Sequence, residues 1–112
     1  MNLHSTYHDT VNLIAVGDAR IDSAVAIRFK DDMRTLTDQG PDHIVLDLSR
    51  VTFVDSSGLG AIVASMKQLG PGKRLDLAGL TPDVAKVFRL TRMDTVFTIH
   101  PDASAFAPRA AG

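Results

Sequence analysis

Residues 51–66 read VTFVDSSGLGAIVASM and change from a strand pattern to a helical pattern within a few positions. Residues up to Val54 are mostly β-branched or aromatic, which favours a strand. Apolar residues then recur at helical spacing, at Leu59, Ile62, Val63 and Met66. The changeover carries an acid, two hydroxyls and two glycines: Asp55, Ser56, Ser57, Gly58 and Gly60. Because the end of a strand that leads into a helix is the usual place for a site in an α/β domain, this corner is the first candidate for function.

Strand and helix patterns also alternate before the corner. The apolar residues of segment 7–16 predict a β-hairpin that turns near residues 9–12. An amphipathic helix is predicted next from Val25, Phe29, Met33 and Leu36, with Asp22 or Ser23 as its N-cap and Gly40 and Pro41 at its end. HIVLDL, residues 43–48, predicts a short buried strand, and VTFVD either continues it after a turn around Ser49 and Arg50 or extends the strand's end.

After the corner the same alternation continues. A helix is predicted over residues 57–69, with Ser65 exposed. Ala61 and Ala64 are small flanking positions that either let a partner approach or serve only as good helix formers. RLDLAG, residues 74–79, predicts a strand. Thr81 is predicted to cap the next helix, with Pro82 at its first position. TVFTIH, residues 95–100, is predicted to be the last strand, and Phe106 is predicted to dock on the body.

These patterns predict an α/β fold with a largely parallel sheet and an antiparallel N-terminal hairpin. The 112 residues suit a single domain over 1–112, with an ordered core of about residues 5–100 and a mobile tail over 101–112. No internal repeat or low-complexity segment interrupts it.

Composition excludes several functions. The formal net charge of −1 and the mixed distribution of acids and bases provide no basic surface for nucleic acid. The absence of cysteine excludes disulfides, a thiolate nucleophile and cysteine-based zinc sites. The polar start MNLHSTYHDT and the lack of a long apolar run favour a cytoplasmic protein without membrane insertion.

Two conventional interpretations of the corner, a helix cap and a hydrolase elbow, differ in how well they fit. A helix cap at Asp55 or Ser56 stabilises a helix by about 1 kcal/mol, but it does not explain Gly58 and Gly60, each of which costs a helix about 1 kcal/mol. Those glycines fit better if the backbone of another molecule comes close to Ser57. A hydrolase elbow, G-x-S-x-G, fails because the first glycine is missing before either serine.

Phosphate-loop and metal motifs are also weak. GPGKR at 70–74 lacks the earlier glycine of a phosphate-binding loop, since Lys67 occupies that position. The four histidines are too scattered in the sequence to predict a metal site, and no cofactor is predicted.

A modifiable hydroxyl fits the corner better. A phosphoryl group on Ser57 would add about −1.5 to −2 charges, which the free N–H groups and dipole at a helix start tolerate. A partner packed over the corner would be repelled, because Asp55, and Asp22 if it lies nearby, would share the space with the new charge. This hypothesis predicts a binding surface controlled by phosphorylation.

The stretch IVLDLSRVTFVDSSGLGAIVASM, residues 44–66, closely resembles the signature of STAS domains, and specifically of bacterial anti-sigma factor antagonists. The likeness runs from GDARID at 17–22 to LTPDVAKVFRLTRMDTVF at 80–97. This resemblance implies a STAS-type mixed sheet of four to five strands with helices packed against it.

The resemblance also implies a partner switch in transcription regulation, with no catalytic activity. The unmodified protein would bind an anti-sigma factor with serine kinase activity, phosphorylation would release it, and a PP2C-type phosphatase would restore binding. The phosphoacceptor of the motif falls on Ser57. The implied kinase- and partner-binding residues are Asp22, Asp55, Ser56, Gly58, Leu59 and Gly60. The alternative is a constitutive STAS subunit of a membrane-associated lipid or ABC transport complex, in which the serine is not used.

Overall fold

The structure is a computed structural model that describes residues 1–106. Its strands, in chain order, are β1 (Leu3–His8), β2 (Val11–Val16), β3 (Arg20–Ile21), β4 (His43–Asp47), β5 (Phe53–Val54), β6 (Arg74–Ala78) and β7 (Ile99–His100). Its helices are α1 (Ala26–Thr37), α2 (Ser56–Lys67) and α3 (Pro82–Leu90), and two short 3₁₀ turns cover Met93–Thr95 and Ser104–Phe106. No helix within residues 1–106 is both long enough and apolar enough to cross a bilayer.

The main sheet has the order β1-β2-β4-β6-β7. β1 and β2 form the predicted antiparallel hairpin, and every other neighbouring pair is parallel. The hairpin turn is tighter than expected, with Asp9 in the left-handed region at φ 53°. The centres of β4 and β6 are buried on both faces: β4 has three consecutive apolar residues there, whereas β6 has Asp76 between Leu75 and Leu77. The predicted mixed α/β sheet with packed helices is confirmed.

The helices cover one face of this sheet and form the core with it. Alternate strand residues point to that face, including Ile14, Ile44, Leu46, Leu75 and Leu77. The helices supply Phe29, Met33, Ile62, Val84 and Phe88, all fully buried. α1 and α2 pack side by side. Ser23 N–H, just before α1, donates to Asp55 at the start of α2, so the two helix starts lie at the same end of the domain.

The opposite face of the sheet carries a polar cluster. Asp76 is 1% exposed, and its Oδ2 lies 2.8 Å from His43 Nε2 and 3.0 Å from His100 Nε2. Burial alone raises the pKa of Asp76, but hydrogen bonds from His100 and His43 and the charge of Arg74 outweigh it and hold this pKa below its usual value. Phe106 packs edge-on against both imidazoles, which confirms that it docks on the body. The last residues of the tail predicted to be mobile, 107–112, lie outside the described residues.

Two strand predictions need correction. VTFVD does not extend the end of β4. The chain turns at Ser49 and Arg50, as the other alternative predicts, but the strand that follows, β5, pairs in parallel with β3 in a separate two-stranded sheet. The chain turns away because Val51 N–H donates to the carbonyl of Leu48, and Phe53 N–H then donates to the carbonyl of Ala19. A two-residue strand such as β3 leaves too short a pattern to be predicted from sequence.

TVFTIH is also mostly not a strand. Residues 93–95 form a 3₁₀ turn, entered through Arg92 in the left-handed region at φ 59°. Within residues 95–100, only Ile99 and His100 pair with β6. The apolar pattern of this segment instead reflects Phe97, which is buried against Phe88 of α3 with its ring centroid 6.0 Å away.

Of the two predicted caps away from the corner, the N-cap position of α3 is confirmed and that of α1 is wrong. Val25 is the N-cap of α1 and provides no side-chain cap, while the Asp22 carboxylate accepts from Ala24 N–H in the preceding loop. Thr81 holds the N-cap position of α3, as predicted, but its hydroxyl donates to the carbonyl of Val51 at 2.7 Å. Both side chains therefore bind loop segments rather than helix ends.

Candidate functional site

The corner between β5 and α2 is built on Asp55. This residue is the N-cap of α2, and its Oδ1 accepts a hydrogen bond from Gly58 N–H at 2.8 Å. The helix begins at Ser56 and ends at Lys67, one residue earlier and two residues earlier than the pattern predicts. The capping interpretation of Asp55 is confirmed, whereas Ser56 is the first helical residue and not a cap.

The second oxygen of Asp55 ties the corner to the loop before α1. Oδ2 accepts from Ser23 N–H at 3.2 Å, across 32 positions of sequence. Asp22 lies beside this contact, with its carboxylate held by Ala24 N–H and by Arg20 Nε at 3.1 and 3.3 Å. The fold therefore does bring Asp22 to the corner. Both oxygens of each acid have partners within the chain.

The two serines are exposed at the first turn of α2. Ser57 is the second residue of the helix, where backbone N–H groups have no carbonyl partner in the preceding turn. Such a position favours an anion by roughly 0.3–1 kcal/mol through the helix dipole. A hydroxyl here is open to solvent and lies in surroundings that tolerate negative charge.

The two glycines of the corner have different roles. A Cβ on Gly58 would lie 1.8 Å from the carbonyl oxygen of Ile21, so this glycine is required by close packing of α2 on β3 within the chain. The expectation that Gly58 makes room for another molecule is therefore wrong. Gly60 differs, because a Cβ there would meet nothing within 4 Å.

Three small residues of α2 face inward. Gly58, Ala61 and Ser65 are buried on one side of the helix, and the hydroxyl of Ser65 donates to the carbonyl of Ala61 at 2.8 Å. The predictions that Ser65 is exposed and that Ala61 flanks a partner surface are wrong, because the helix uses its small residues to approach its own chain. Leu59 is half-buried and packs against the core.

The surface around the serines has features that sequence patterns did not single out. The guanidinium carbon of Arg20 lies 4.1 Å from the ring centroid of Phe53, which is 39% exposed. Ile27, in the first turn of α1, is 73% exposed. Only the short β3–β5 pairing places Arg20 beside Phe53, so a local pattern could not reveal this patch.

Comparison with known proteins identifies the family. The STAS domain family model matches residues 5–105, so this chain belongs to the STAS domain family. Among curated relatives, BtrV of Bordetella bronchiseptica, which carries the name anti-sigma factor antagonist, is 30% identical over 85% of this chain and 83% of its own.

Solved structures agree on the fold. An anti-sigma factor antagonist from Mycobacterium paratuberculosis superposes with a TM-score of 0.82 at 25% identity, over 93% of this chain and 88% of that chain. The unphosphorylated form of the anti-sigma factor antagonist SpoIIAA superposes with a TM-score of 0.73 at 21% identity, over 94% and 93% of the two chains.

Proposed function

We propose that this protein is an anti-sigma factor antagonist that acts by partner switching. In its unphosphorylated form it binds an anti-sigma factor that is also a serine kinase. Phosphorylation of Ser57 by that kinase releases it, and a PP2C-type phosphatase restores binding. The protein is a binding module of the cytoplasm with no catalytic activity of its own. The names of its relatives, BtrV and the Mycobacterium protein among them, support this class.

The exposed hydroxyl of Ser57 at the second position of α2 is the observation that carries the proposal. A kinase needs an accessible hydroxyl, and the new phosphate needs surroundings that do not unfold the domain. Both conditions hold, because Ser57 is exposed and the helix start favours an anion. The neighbouring carboxylates of Asp22 and Asp55 are already hydrogen-bonded within the chain, so they do not have to move.

The surroundings also suit a protein partner. Gly60 lies one turn after Ser57 and leaves helical backbone uncovered, because nothing lies within 4 Å of its missing side chain. Exposed Phe53 and Ile27 add apolar surface near the same end of the domain. A phosphate beside Asp22 and Asp55 would place three anionic groups against any partner seated there, and the resulting repulsion and desolvation would weaken binding.

Incubation with ATP and the serine-kinase anti-sigma factor encoded in the same genome tests the proposal. Intact mass should show one added phosphate on the wild type and on the matched control Ser56→Ala, and none on Ser57→Ala. The same anti-sigma factor should co-elute with the unmodified protein in gel filtration and separate from the phosphorylated one.

Other outcomes would reject the proposal. Phosphate transfer that persists in Ser57→Ala would place the acceptor elsewhere. Stable copurification with an ATPase and a permease, unchanged by Ser57→Ala, would instead support the constitutive subunit of a transport complex.

A further inference from the structure

Two histidines that are far apart in the sequence meet on one buried carboxylate. His43 at the start of β4 and His100 at the end of β7 both direct Nε2 to Oδ2 of Asp76 in β6, at 2.8 and 3.0 Å. One ligand atom from each of the three residues lies within 4.8 Å of the others. The spacing of the histidines in the sequence did not indicate this cluster, which forms because β6 has β4 and β7 on its two sides.

An ion-pair role leaves one contact unexplained. His43 Nε2 lies 2.8 Å from Asp76 Oδ2 and 3.0 Å from Arg74 Nη2. A guanidinium nitrogen only donates and an ionised carboxylate only accepts. Since His43 Nε2 can either accept from Arg74 or donate to Asp76, it cannot hydrogen-bond to both, and a metal ion on Nε2 would replace both contacts.

The three ligand atoms lie within 4.8 Å of one another, so a small shift would let them converge on one metal ion. Imidazole nitrogens and carboxylate oxygens bind Zn²⁺ at about 2.0–2.2 Å, so neighbouring ligands at a tetrahedral angle lie about 3.4 Å apart. The two nitrogen–oxygen distances, 2.8 and 3.0 Å, are those of hydrogen bonds and would have to lengthen by about half an ångström when the ion binds. Each Nε2 would give up its proton, and its lone pair would bind the ion.

We propose that His43, Asp76 and His100 form a binding site for a late first-row divalent transition ion, of which Zn²⁺ is representative. Two neutral imidazoles and one carboxylate are the donor set that such ions accept, and water completes the coordination. The side chains of His43 and His100 are 23% and 28% exposed, which leaves an entry for the ion. Arg74 opposes binding by its charge, and its Nε lies 3.3 Å from Asp76 Oδ1 in an ion pair that would have to open; its side chain is 64% exposed and can turn into solvent.

The bound ion would join β4, β6 and β7 on the face of the sheet opposite the helices. It would also fix the two imidazoles against Phe106, whose ring centroid lies 4.8 Å from that of His100 and 5.8 Å from that of His43. Ser57 lies at the start of α2 on the helix side, so metal binding and phosphorylation are expected to be independent.

Zn²⁺ titration of the full, untagged chain after dialysis against a chelator tests the site. Calorimetry should show one Zn²⁺ per chain, and the melting temperature should rise with Zn²⁺. His43→Gln and His100→Gln should each weaken binding at least tenfold, because glutamine retains a donor for Asp76 but is a poor metal ligand. Arg74→Gln should strengthen binding by removing an opposing charge. His4→Gln and His8→Gln, in β1 away from the cluster, serve as matched controls and should bind like the wild type.

A second measurement does not depend on the folding of variants. Nitrogen-15 histidine spectra of the wild type should show the Nε2 resonances of His43 and His100, and not those of His4 and His8, changing upon addition of Zn²⁺. The proposal is overturned if the wild type takes up no ion, if binding survives in both His43→Gln and His100→Gln, or if the resonances of other histidines respond instead.

Discussion

At the scale of single residues, the two glycines of α2 allow a direct comparison. Gly58→Ala should destabilise the protein by about 1–3 kcal/mol, because its Cβ would overlap the carbonyl oxygen of Ile21 at 1.8 Å and force α2 away from β3. The free energy of unfolding from urea denaturation measures this loss.

Gly60→Ala is the matched control in the same helix. Its Cβ would enter open space, and alanine favours a helix over glycine by about 0.5–1 kcal/mol, so stability should be retained or should rise. If the two variants have equal stability, the close contact between α2 and β3 is not what requires glycine at position 58.

At the scale of elements, Asp55 determines how α2 begins and how the loop before α1 is held. Asp55→Ala should lower the free energy of unfolding by about 1–3 kcal/mol, since it removes the bonds to both Gly58 N–H and Ser23 N–H. Asp55→Asn retains one acceptor oxygen and should lose less stability than Asp55→Ala. Thermal unfolding of both variants shows which one is less stable. Equal losses of stability would contradict a role for both oxygens.

A buried amide joins the N-terminal hairpin to α1. Asn12 is fully buried, donates through Nδ2 to the carbonyl of Leu36 at 3.0 Å and accepts from the hydroxyl of Ser5 at 2.6 Å. Asn12→Leu should lower the free energy of unfolding by about 1–3 kcal/mol, because it leaves those partners without this bond.

A double-mutant cycle isolates the Asn12–Ser5 part of that loss. Ser5→Ala should cost clearly less in the Asn12→Leu background than in the wild type, as measured by urea unfolding of the four proteins. Additive losses would mean that the two side chains do not stabilise each other.

At the scale of the whole molecule, the phosphorylation surface and the core are separable. Ser57→Asp should change the free energy of unfolding by no more than about 0.5 kcal/mol, because the side chain is exposed and a helix start favours an acid. It should nevertheless weaken binding of the anti-sigma factor, in part only, since aspartate carries less charge than a phosphoserine.

Calorimetric binding and thermal unfolding, measured on the same preparation, check this separation. Ser56→Asp, one residue earlier on the same exposed turn, shows whether the effect belongs to position 57 or to any negative charge at the helix start. A large loss of stability in Ser57→Asp would mean that the hydroxyl is structural.

Local spacing in the sequence was enough to predict α1, α2, α3, β4 and β6, because repeats of 3.6 and 2 residues reflect which side chains face the core within one element. Residues 51–66 also allowed Asp55 to be predicted as a helix cap, since its partner, Gly58, is three residues away. The β3–β5 pair, the inward role of Gly58 and the cluster at Asp76 could not be predicted in this way. Each depends on groups 24 to 37 positions apart, such as Ile21 with Gly58 and Asp76 with His43 and His100. Only the folded sheet and the packing of α2 against β3 bring those groups into contact, because strand order determines which distant residues become neighbours.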